Sequence, residues 1–126
     1  MAKTPVSTGN APAAIGTYSQ AIMHKDTVYI SGQIPLVPET MQIVSDDIDK
    51  QIEQVFSNLS SICEAVGGDI NSVLKFTVYL TNLDNFAAVN TVMERHLDTP
   101  YPARAAIEVS ALPRGALVEV DAIMAL

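Results

Sequence analysis

The sequence predicts an α+β fold in which two helices pack on one face of a single mixed β-sheet. Two segments place apolar residues at steps of three and four, which is the period of an α-helix. The other regular segments are short apolar runs or alternate with period two, as strands do. These elements follow one another in the order ββ-α-β-α-ββ. That order places both helices on the same side of one sheet.

The N-terminal part is predicted to be an arm followed by a hairpin. The residues up to Ile15 are rich in Ala, Pro, Thr and Gly, which favours an irregular arm. Two short apolar runs follow, at residues 21–23 and 28–32, with a short polar connection between them. This spacing is typical of a β-hairpin. Pro35 and Pro38 then indicate a loop.

Two helices are predicted from apolar periodicity. The first begins after Asp46 and Asp47, because negative charge is favoured at a helix N-terminus, and ends at Gly67-Gly68. Its apolar stripe consists of Ile48, Ile52, Val55, Phe56, Leu59, Ile62, Cys63 and Val66. The second begins near Asp84 and ends at Thr99-Pro100. Its buried side is predicted to carry Phe86, Val89, Met93 and Leu97.

Three further strands are predicted over residues 73–80, 103–109 and 116–125. The even-numbered residues of the first and last of these are apolar and predict the face that meets the helices. In the middle strand one face carries Arg104, Ala106 and Glu108. The second face of the last strand carries Leu117, Glu119, Asp121, Ile123 and Ala125. Such a mixed face either meets another subunit or is a solvated surface with incidental apolar residues, and both interpretations stay open.

Composition limits where the protein acts and what it binds. The 126 residues are expected to form one domain, residues 1–126. No apolar run approaches the roughly 20 residues that cross a bilayer, and a single cysteine cannot form an internal disulfide. We therefore expect a cytoplasmic protein without membrane contact. The net charge of −7 and the scattered Lys and Arg residues argue against a nucleic-acid partner.

Two charged residues inside predicted strands are candidates for chemistry. Arg104 has alanines on both sides, which leave room for a small anion, and a guanidinium matches a carboxylate with two parallel hydrogen bonds. Glu119 lies between two valines, where a carboxylate needs a partner or a function. The alternatives are ordinary ion pairs, of Arg104 with Glu108 or Asp121 and of Glu119 with Arg104 or Lys75.

The remaining reactive side chains predict no site. Cys63 lies on the apolar stripe of the first helix, which indicates a buried core thiol. His24 and His96 have no Cys, His or carboxylate neighbours at metal-ligand spacing, so no metal is expected. The chain also contains no Gly-rich phosphate loop and no dinucleotide-binding fingerprint.

Four segments, taken in order, resemble the RidA (YjgF) family along nearly the whole chain. Residues 16–21, GTYSQA, resemble the family's G-P-Y-S-Q-A, with Thr17 in place of the proline. Residues 31–35, SGQIP, match its S-G-Q-I-P. Residues 82–90 resemble its D-L-x-D-F-x-x-x-N segment. Residues 102–123 resemble its signature, P-A-R-x-x-x-E-V-x-x-L-P followed by V-E-I-E-A-I.

The resemblance implies a chorismate-mutase-like fold and a homotrimer whose sites lie between subunits. It implies hydrolysis of 2-iminopropanoate and 2-iminobutanoate, released by serine and threonine dehydratases, to 2-oxo acids and ammonia without a cofactor. By position, Arg104 would hold the substrate carboxylate and Glu119 would position the attacking water, and the two would reach one crevice from adjoining strands. The substrate-binding residues would be Tyr18 from the neighbouring chain, Ser31, Gly32, Asn90 and, through its backbone, Ala106.

Two other functions stay open. A non-catalytic trimer that binds small carboxylates, or that acts like a chaperone, would need Arg104 but not Glu119. Endoribonuclease activity is a label sometimes attached to this family. The acidic net charge and the absence of a histidine pair or a basic groove in the sequence argue against it.

Overall fold

Residues 2–126, which the computed structural model describes, form six β-strands and two α-helices. The strands are β1 Thr4–Val6, β2 Ala21–His24, β3 Thr27–Gln33, β4 Val73–Leu80, β5 Ala103–Glu108 and β6 Val118–Ala125. The helices are α1 Ile48–Ala65 and α2 Phe86–His96. Short 3-10 turns at Ile70–Ser72, Leu83–Asn85 and Pro113–Gly115 connect them.

The six strands form one mixed sheet in the order β1-β2-β3-β6-β4-β5. Neighbouring strands are antiparallel except for β4 and β5, which are parallel because α2 connects them as a crossover. The predicted α+β fold with one mixed sheet and two helices is confirmed. The last strand of the chain, β6, lies in the interior of the sheet and separates β3 from β4.

The prediction of an irregular N-terminal arm is wrong for Thr4–Val6. These residues form β1, which pairs with β2 and places Pro5 opposite Ile22. A strand of three residues is too short to reveal a period of two in the sequence. Proline is tolerated in it because β1 is an edge strand, where one row of backbone N–H groups has no ladder partner.

Helix α1 begins and ends close to the predicted residues. The Asp47 side chain caps its N-terminus by accepting a hydrogen bond from the Lys50 backbone N–H at 3.0 Å. At the C-terminus, Gly67 adopts a φ of 90°, and the Gly68 N–H donates to the Cys63 carbonyl at 3.1 Å. Of the predicted apolar stripe, Ile48 and Val66 at the two ends are half-buried and the other residues are fully buried.

Helix α2 is shorter than predicted at its C-terminus. It ends at His96, and Leu97 is already extended, so the predicted end at Thr99-Pro100 is about one turn late. Leu97 nevertheless stays buried, as do Val89 and Met93, and this keeps the segment on the sheet. Apolar periodicity alone misplaces the boundary because a buried residue just after a helix looks like one more helical position.

The even-numbered residues of β4 and β6 form the face that packs against the helices, as predicted. All four even-numbered residues of β6 are buried. The prediction is wrong for Leu74 of β4, whose side chain is 54% exposed. The pairing of β4 with β6 shifts by one residue between Val73 and Lys75, so Leu74 is the extra residue of a bulge.

The other face of the sheet, which we call the open face, carries the odd-numbered residues of β4, β5 and β6. Apolar and polar side chains mix there. Ile107 of β5 is 47% exposed and Tyr29 of β3 is 51% exposed, while Ile123 of β6 is half-buried. Register pairs Tyr29 with Ile123 and Ile107 with Tyr79, so these side chains lie side by side across the strands.

Candidate active site

Arg104 lies on the helix face of the sheet, at its β5 edge. Its register partner is Phe76 of β4, which is fully buried beneath the helices. The guanidinium carbon of Arg104 lies 4.7 Å from the centre of the Phe86 ring. Nη1 donates to Asn90 Oδ1 at 2.5 Å and contacts Met93 Sδ at 3.5 Å. Helix α2 therefore holds the guanidinium in place through uncharged groups.

No carboxylate neutralises Arg104. Within residues 2–126, the ion pairs are those of Glu53 with Arg95 and with His96. The predicted alternative partner Glu108 instead accepts a hydrogen bond from the Leu83 backbone N–H at 2.8 Å. A guanidinium has five N–H donors, and Arg104 uses few of them within the chain. Arg104 is thus a positive charge with donors left for an external anion.

A cavity of about 370 Å³ lies beside Arg104. Asn90, Met93, Glu94, Leu97, Tyr101, Pro102 and Arg104 line it. We call this group the Arg104 half-site. Its volume is ample for an acid of three or four carbons, and the guanidinium supplies the feature that would orient such an acid by its carboxylate.

Glu119 lies on the open face of the sheet, in β6. Its register partner is Tyr79 of β4. Its carboxylate lies against Gly32 of β3, where an added Cβ would overlap Oε2 and would lie 3.0 Å from Cδ. Only glycine can leave space for the carboxylate at this position. The half-buried Glu119 is therefore held against the backbone of β3.

A bulge in β3 creates the space beside Glu119. Ile30 pairs with Ala122 and Gln33 pairs with Val120, so Ser31 and Gly32 together stand opposite Asp121. A bulge of this kind bends the strand and redirects its backbone. The sequence S-G at this position thus has a local structural role, which is to open β3 where the Glu119 carboxylate approaches it.

A second cavity, of about 230 Å³, lies at Gly32. Pro12, Ala13, Ile15, Tyr18, Gly32, Gln33, Ile34, Leu36, Met41 and Arg114 line it. We call these residues together with Glu119 the Glu119 half-site. Gly32 connects the two parts, since it lines the cavity and is in contact with the Glu119 carboxylate. The half-site combines an apolar wall, the Tyr18 phenol, one carboxylate and one guanidinium.

Buried Gln20 holds the arm that forms part of this wall. Its side-chain NH₂ donates to the carbonyls of Thr8, Ala11 and Pro12, and its carbonyl accepts from the Thr8 N–H at 2.7 Å. Ser31 acts in the same way, because its hydroxyl donates to the Ser19 carbonyl at 2.6 Å. These bonds fix the segment that carries Tyr18, whose ring is 53% exposed.

Within one chain the two half-sites do not meet. Arg104 is on the helix face and Glu119 is on the open face, and β4 lies between their strands. The prediction that the two residues come from adjoining strands is therefore wrong. The strands β5 and β6 follow each other along the chain but are not neighbours in the sheet, because β6 inserts between β3 and β4 and leaves β5 at the edge.

The other predicted site residues divide between the half-sites or lie outside them. Asn90 belongs with Arg104, and Tyr18 and Gly32 belong with Glu119. Ser31 lines neither cavity, and its hydroxyl donates a hydrogen bond to the Ser19 carbonyl. Ala106 also lines neither cavity and packs against the core from the helix face. Both residues are half-buried in the single chain.

Sequence reasoning overlooked several residues that line the cavities. No role is predicted from the sequence for Tyr101 or Pro102, yet they form the wall next to Arg104. Proximity in the sequence could have indicated them. Arg114 carried no signal, and only the folded chain brings it to the Gly32 cavity, where it donates to the Met41 carbonyl at 3.0 Å.

Burial and charge both act on Glu119. Partial desolvation raises the pKa of the Glu119 carboxyl, and the nearby Asp121 carboxylate raises it further. Tyr79 donates its hydroxyl proton to Asp121 Oδ2 at 3.0 Å, and this hydrogen bond raises the pKa of the Tyr79 phenol. The carboxyl group at residue 119 is consequently a stronger base than an exposed glutamate.

The described residues present neither a metal site, nor a reactive cysteine, nor a membrane-spanning helix. Across residues 2–126, no three His, Cys, Asp or Glu side chains cluster so that they could hold a metal ion. Burial raises the pKa of the Cys63 thiol to about 12, as befits an inert core residue. Among residues 2–126, no helix is long and apolar enough to span a membrane.

Comparison with known proteins identifies relatives along almost the whole chain. Residues 8–126 match the family described as Endoribonuclease L-PSP. The chain is 47% identical over 122 residues to the RutC family protein y4sK of Sinorhizobium fredii, and the match covers 97% of each protein. It is 45% identical over 118 residues to 2-iminobutanoate/2-iminopropanoate deaminase of Mus musculus, with 94% of this chain and 87% of the mouse protein covered.

The fold is equally similar to a solved structure. The crystal structure of RidA from an Antarctic Psychrobacter species superposes with a TM-score of 0.94 at 50% sequence identity. The superposition covers 98% of this chain and 99% of that one. Residues 8–126, which the family match covers, include the residues of both half-sites. The chain therefore belongs to the RidA family.

Proposed function

We propose that this protein hydrolyses 2-imino acids, such as 2-iminopropanoate and 2-iminobutanoate, to 2-oxo acids and ammonia. The observation that carries the proposal is the Arg104 guanidinium, which faces a cavity and forms no ion pair with a carboxylate of residues 2–126. A small acid would supply the missing anion. Relatives with more than 40% identity that are named 2-iminobutanoate/2-iminopropanoate deaminase support this choice of substrate.

The proposal requires that the site be built from two copies of the chain. Since Arg104 and Glu119 face opposite sides of one sheet, the Arg104 half-site of one copy has to meet the Glu119 half-site of another. Contacts between two different surfaces of identical chains form a ring when the rotation that relates the chains closes on itself. A homotrimer is the ring that the family resemblance implies, and the apolar side chains of the open face support burial against other copies.

In the proposed reaction Arg104 binds the substrate and sets its orientation. Two guanidinium N–H groups donate to the two oxygens of the substrate carboxylate, while Asn90 and the Phe86 ring hold the guanidinium plane. The imine carbon is bonded directly to this carboxylate. Anchoring the acid therefore leaves the imine carbon little freedom relative to a water held on Glu119, which lowers the entropic part of the barrier.

The chemical steps need only a placed water and one proton carrier. The oxygen of water attacks the carbon of the protonated imine, and the C=N π electrons move onto nitrogen. Glu119 takes a proton from the water and then passes it to that nitrogen. The C–N bond breaks, ammonia leaves, and the remaining hydroxyl proton is released as C=O forms. The raised pKa of Glu119 suits a group that accepts and returns a proton.

The proposal includes no cofactor and a cytoplasmic location. A protonated imine is already electrophilic, so the steps above involve neither electron transfer nor a metal-bound nucleophile. The single cysteine of the chain agrees with a reducing compartment such as the cytoplasm.

Two alternatives are less well supported. A non-catalytic carboxylate-binding or chaperone-like trimer would use Arg104. It would give no role to the Glu119 carboxylate, for which Gly32 leaves space in β3. An endoribonuclease, as the family description reads, would ordinarily use a general acid–base pair beside a cationic groove. The histidines lie elsewhere, with the His24 ring next to the Ala2 carbonyl and the His96 ring on Glu53.

A coupled assay tests the proposal. Threonine or serine dehydratase would generate the imino acid, and formation of the 2-oxo acid would be followed with and without this protein. We expect acceleration by the wild type, and strong loss in Arg104→Ala and in Glu119→Gln. Arg95→Ala is the matched control, because Arg95 pairs with Glu53 away from both half-sites. The proposal fails if the wild type does not accelerate release, or if Arg104→Ala is as active as Arg95→Ala.

A further inference from the structure

Three polar side chains form a connected group on the open face. Glu119 and Tyr79 are register partners on neighbouring antiparallel strands. Asp121 lies two residues further along β6 on the same face, a Cα separation of roughly 7 Å from Glu119 in an extended strand. The Tyr79 hydroxyl reaches diagonally across the strands and donates to Asp121 Oδ2 at 3.0 Å. One phenol thus bonds the carboxylate next to Glu119 rather than Glu119 itself.

The group is not neutralised by a nearby cation. The ion pairs within residues 2–126 all involve Glu53, on the opposite side of the molecule's sheet. Other charged or titratable side chains that share the open face or the Gly32 cavity with Glu119 are Lys75 of β4, Tyr29 of β3, His24 of β2, Tyr18 and Arg114. From β5 the open face receives Ala103, Ala105 and Ile107, none of which titrates. Asp121 is therefore the anion that acts on Glu119.

The two hydrogen-bonded residues have opposite effects on Glu119. The negative charge of Asp121 disfavours a second negative charge at Glu119, which adds to the effect of burial on the Glu119 pKa. The Tyr79 hydroxyl places a positive hydrogen on Asp121 and so weakens the field that Asp121 exerts.

We propose that Tyr79 and Asp121 are positioning residues for the reaction: Asp121 is the anionic neighbour of Glu119, the Tyr79 hydroxyl moderates its charge, and together they set the pH range in which Glu119 acts as a base. This inference rests on the proposed function, since it concerns the group that is proposed to activate water. Neither Tyr79 nor Asp121 touches the substrate in this scheme. They act through Glu119.

The test compares isosteric variants across pH. In Asp121→Asn the like charge is lost, and the acid limb of the kcat/KM profile is expected to move down by roughly 0.5–1.5 pH units, the size expected for two carboxylates on residues whose Cα atoms are about 7 Å apart. In Tyr79→Phe no hydroxyl proton offsets the Asp121 charge, and the acid limb of the kcat/KM profile is expected to move up by several tenths of a pH unit. Tyr29→Phe is the matched control, because this exposed open-face phenol pairs with Ile123 and not with Glu119.

A second readout does not depend on activity. The carboxyl carbon of Glu119, labelled with ¹³C and assigned by its loss in Glu119→Gln, would be titrated by NMR in the same variants. Midpoints that move in opposite directions in Asp121→Asn and Tyr79→Phe support the inference. Midpoints that stay unchanged, or that move in the same direction, overturn it. If the wild type does not accelerate release of the 2-oxo acid, the proposed function is overturned, whatever the NMR titration gives.

Discussion

Two inactive variants, Arg104→Ala and Glu119→Gln, are expected to regain activity when their chains are combined in one oligomer. The reason is geometric. One chain directs Arg104 to the helix face and Glu119 to the open face, with β4 between their strands, so a complete site draws one residue from each of two chains. An interface between an Arg104→Ala chain that supplies Glu119 and a Glu119→Gln chain that supplies Arg104 carries both native groups.

The size of the recovery follows from counting interfaces. In randomly mixed rings with equal amounts of both chains, roughly one quarter of the sites are intact. In trimers selected to contain both chains, one of the three interfaces is intact in every ring, so the expected activity is roughly one third of wild type per site. If each chain carried a complete site of its own, the mixed rings would gain nothing.

The experiment uses two affinity tags and the dehydratase-coupled assay. The variants would be co-expressed with different tags, purified over both, and assayed for release of the 2-oxo acid. Each variant co-expressed with itself under two tags provides the baseline. The reasoning is refuted if mixed oligomers, verified by native mass spectrometry, are no more active than the baseline, or if the wild-type protein proves to be a monomer.

Three further tests address Arg104, Gly32 and Cys63 in turn. Arg104→Ala is expected to lower kcat/KM roughly 10²–10⁴-fold through loss of two charge-assisted hydrogen bonds of about 1.5–3 kcal/mol each. The kcat/KM of Arg104→Lys should lie between that of Arg104→Ala and that of the wild type. Equal kcat/KM values for Arg104→Lys and the wild type would contradict a contact through two guanidinium N–H groups. Gly32→Ala would displace the Glu119 carboxylate and is expected to reduce kcat about 10²-fold while the melting temperature changes little, because the displaced atoms end a flexible side chain. Gly9→Ala, which adds a Cβ with nothing within 4 Å, is its control and should retain full activity. The Cys63 thiol, with a pKa of about 12 and full burial, is expected to resist iodoacetamide at pH 8 until the protein is unfolded, and rapid native labelling seen by mass spectrometry would show that the thiol is accessible.

Local patterns were sufficient for most of the fold. The spacing of apolar residues located α1, and the charge of Asp47 and the glycine pair marked its ends because capping depends on the immediate neighbours. The β2–β3 hairpin was visible for the same reason. The errors fall where the chain depends on distant partners: β1 exists through its pairing with β2, and Leu74 is exposed through a bulge against β6.

The identities of the candidate residues came from the sequence, and their arrangement came from the tertiary structure. Arg104 and Glu119 stood out because a charged side chain in an apolar strand is costly to bury unless it has a partner or a function. The family resemblance then assigned roles to both residues. Chain order could not show that β6 inserts between β3 and β4, since strand order depends on which long-range pairings bury the most surface. That insertion separates Arg104 from Glu119, pairs Tyr79 with Glu119, and makes a site between two copies of the chain the arrangement that can unite the half-sites.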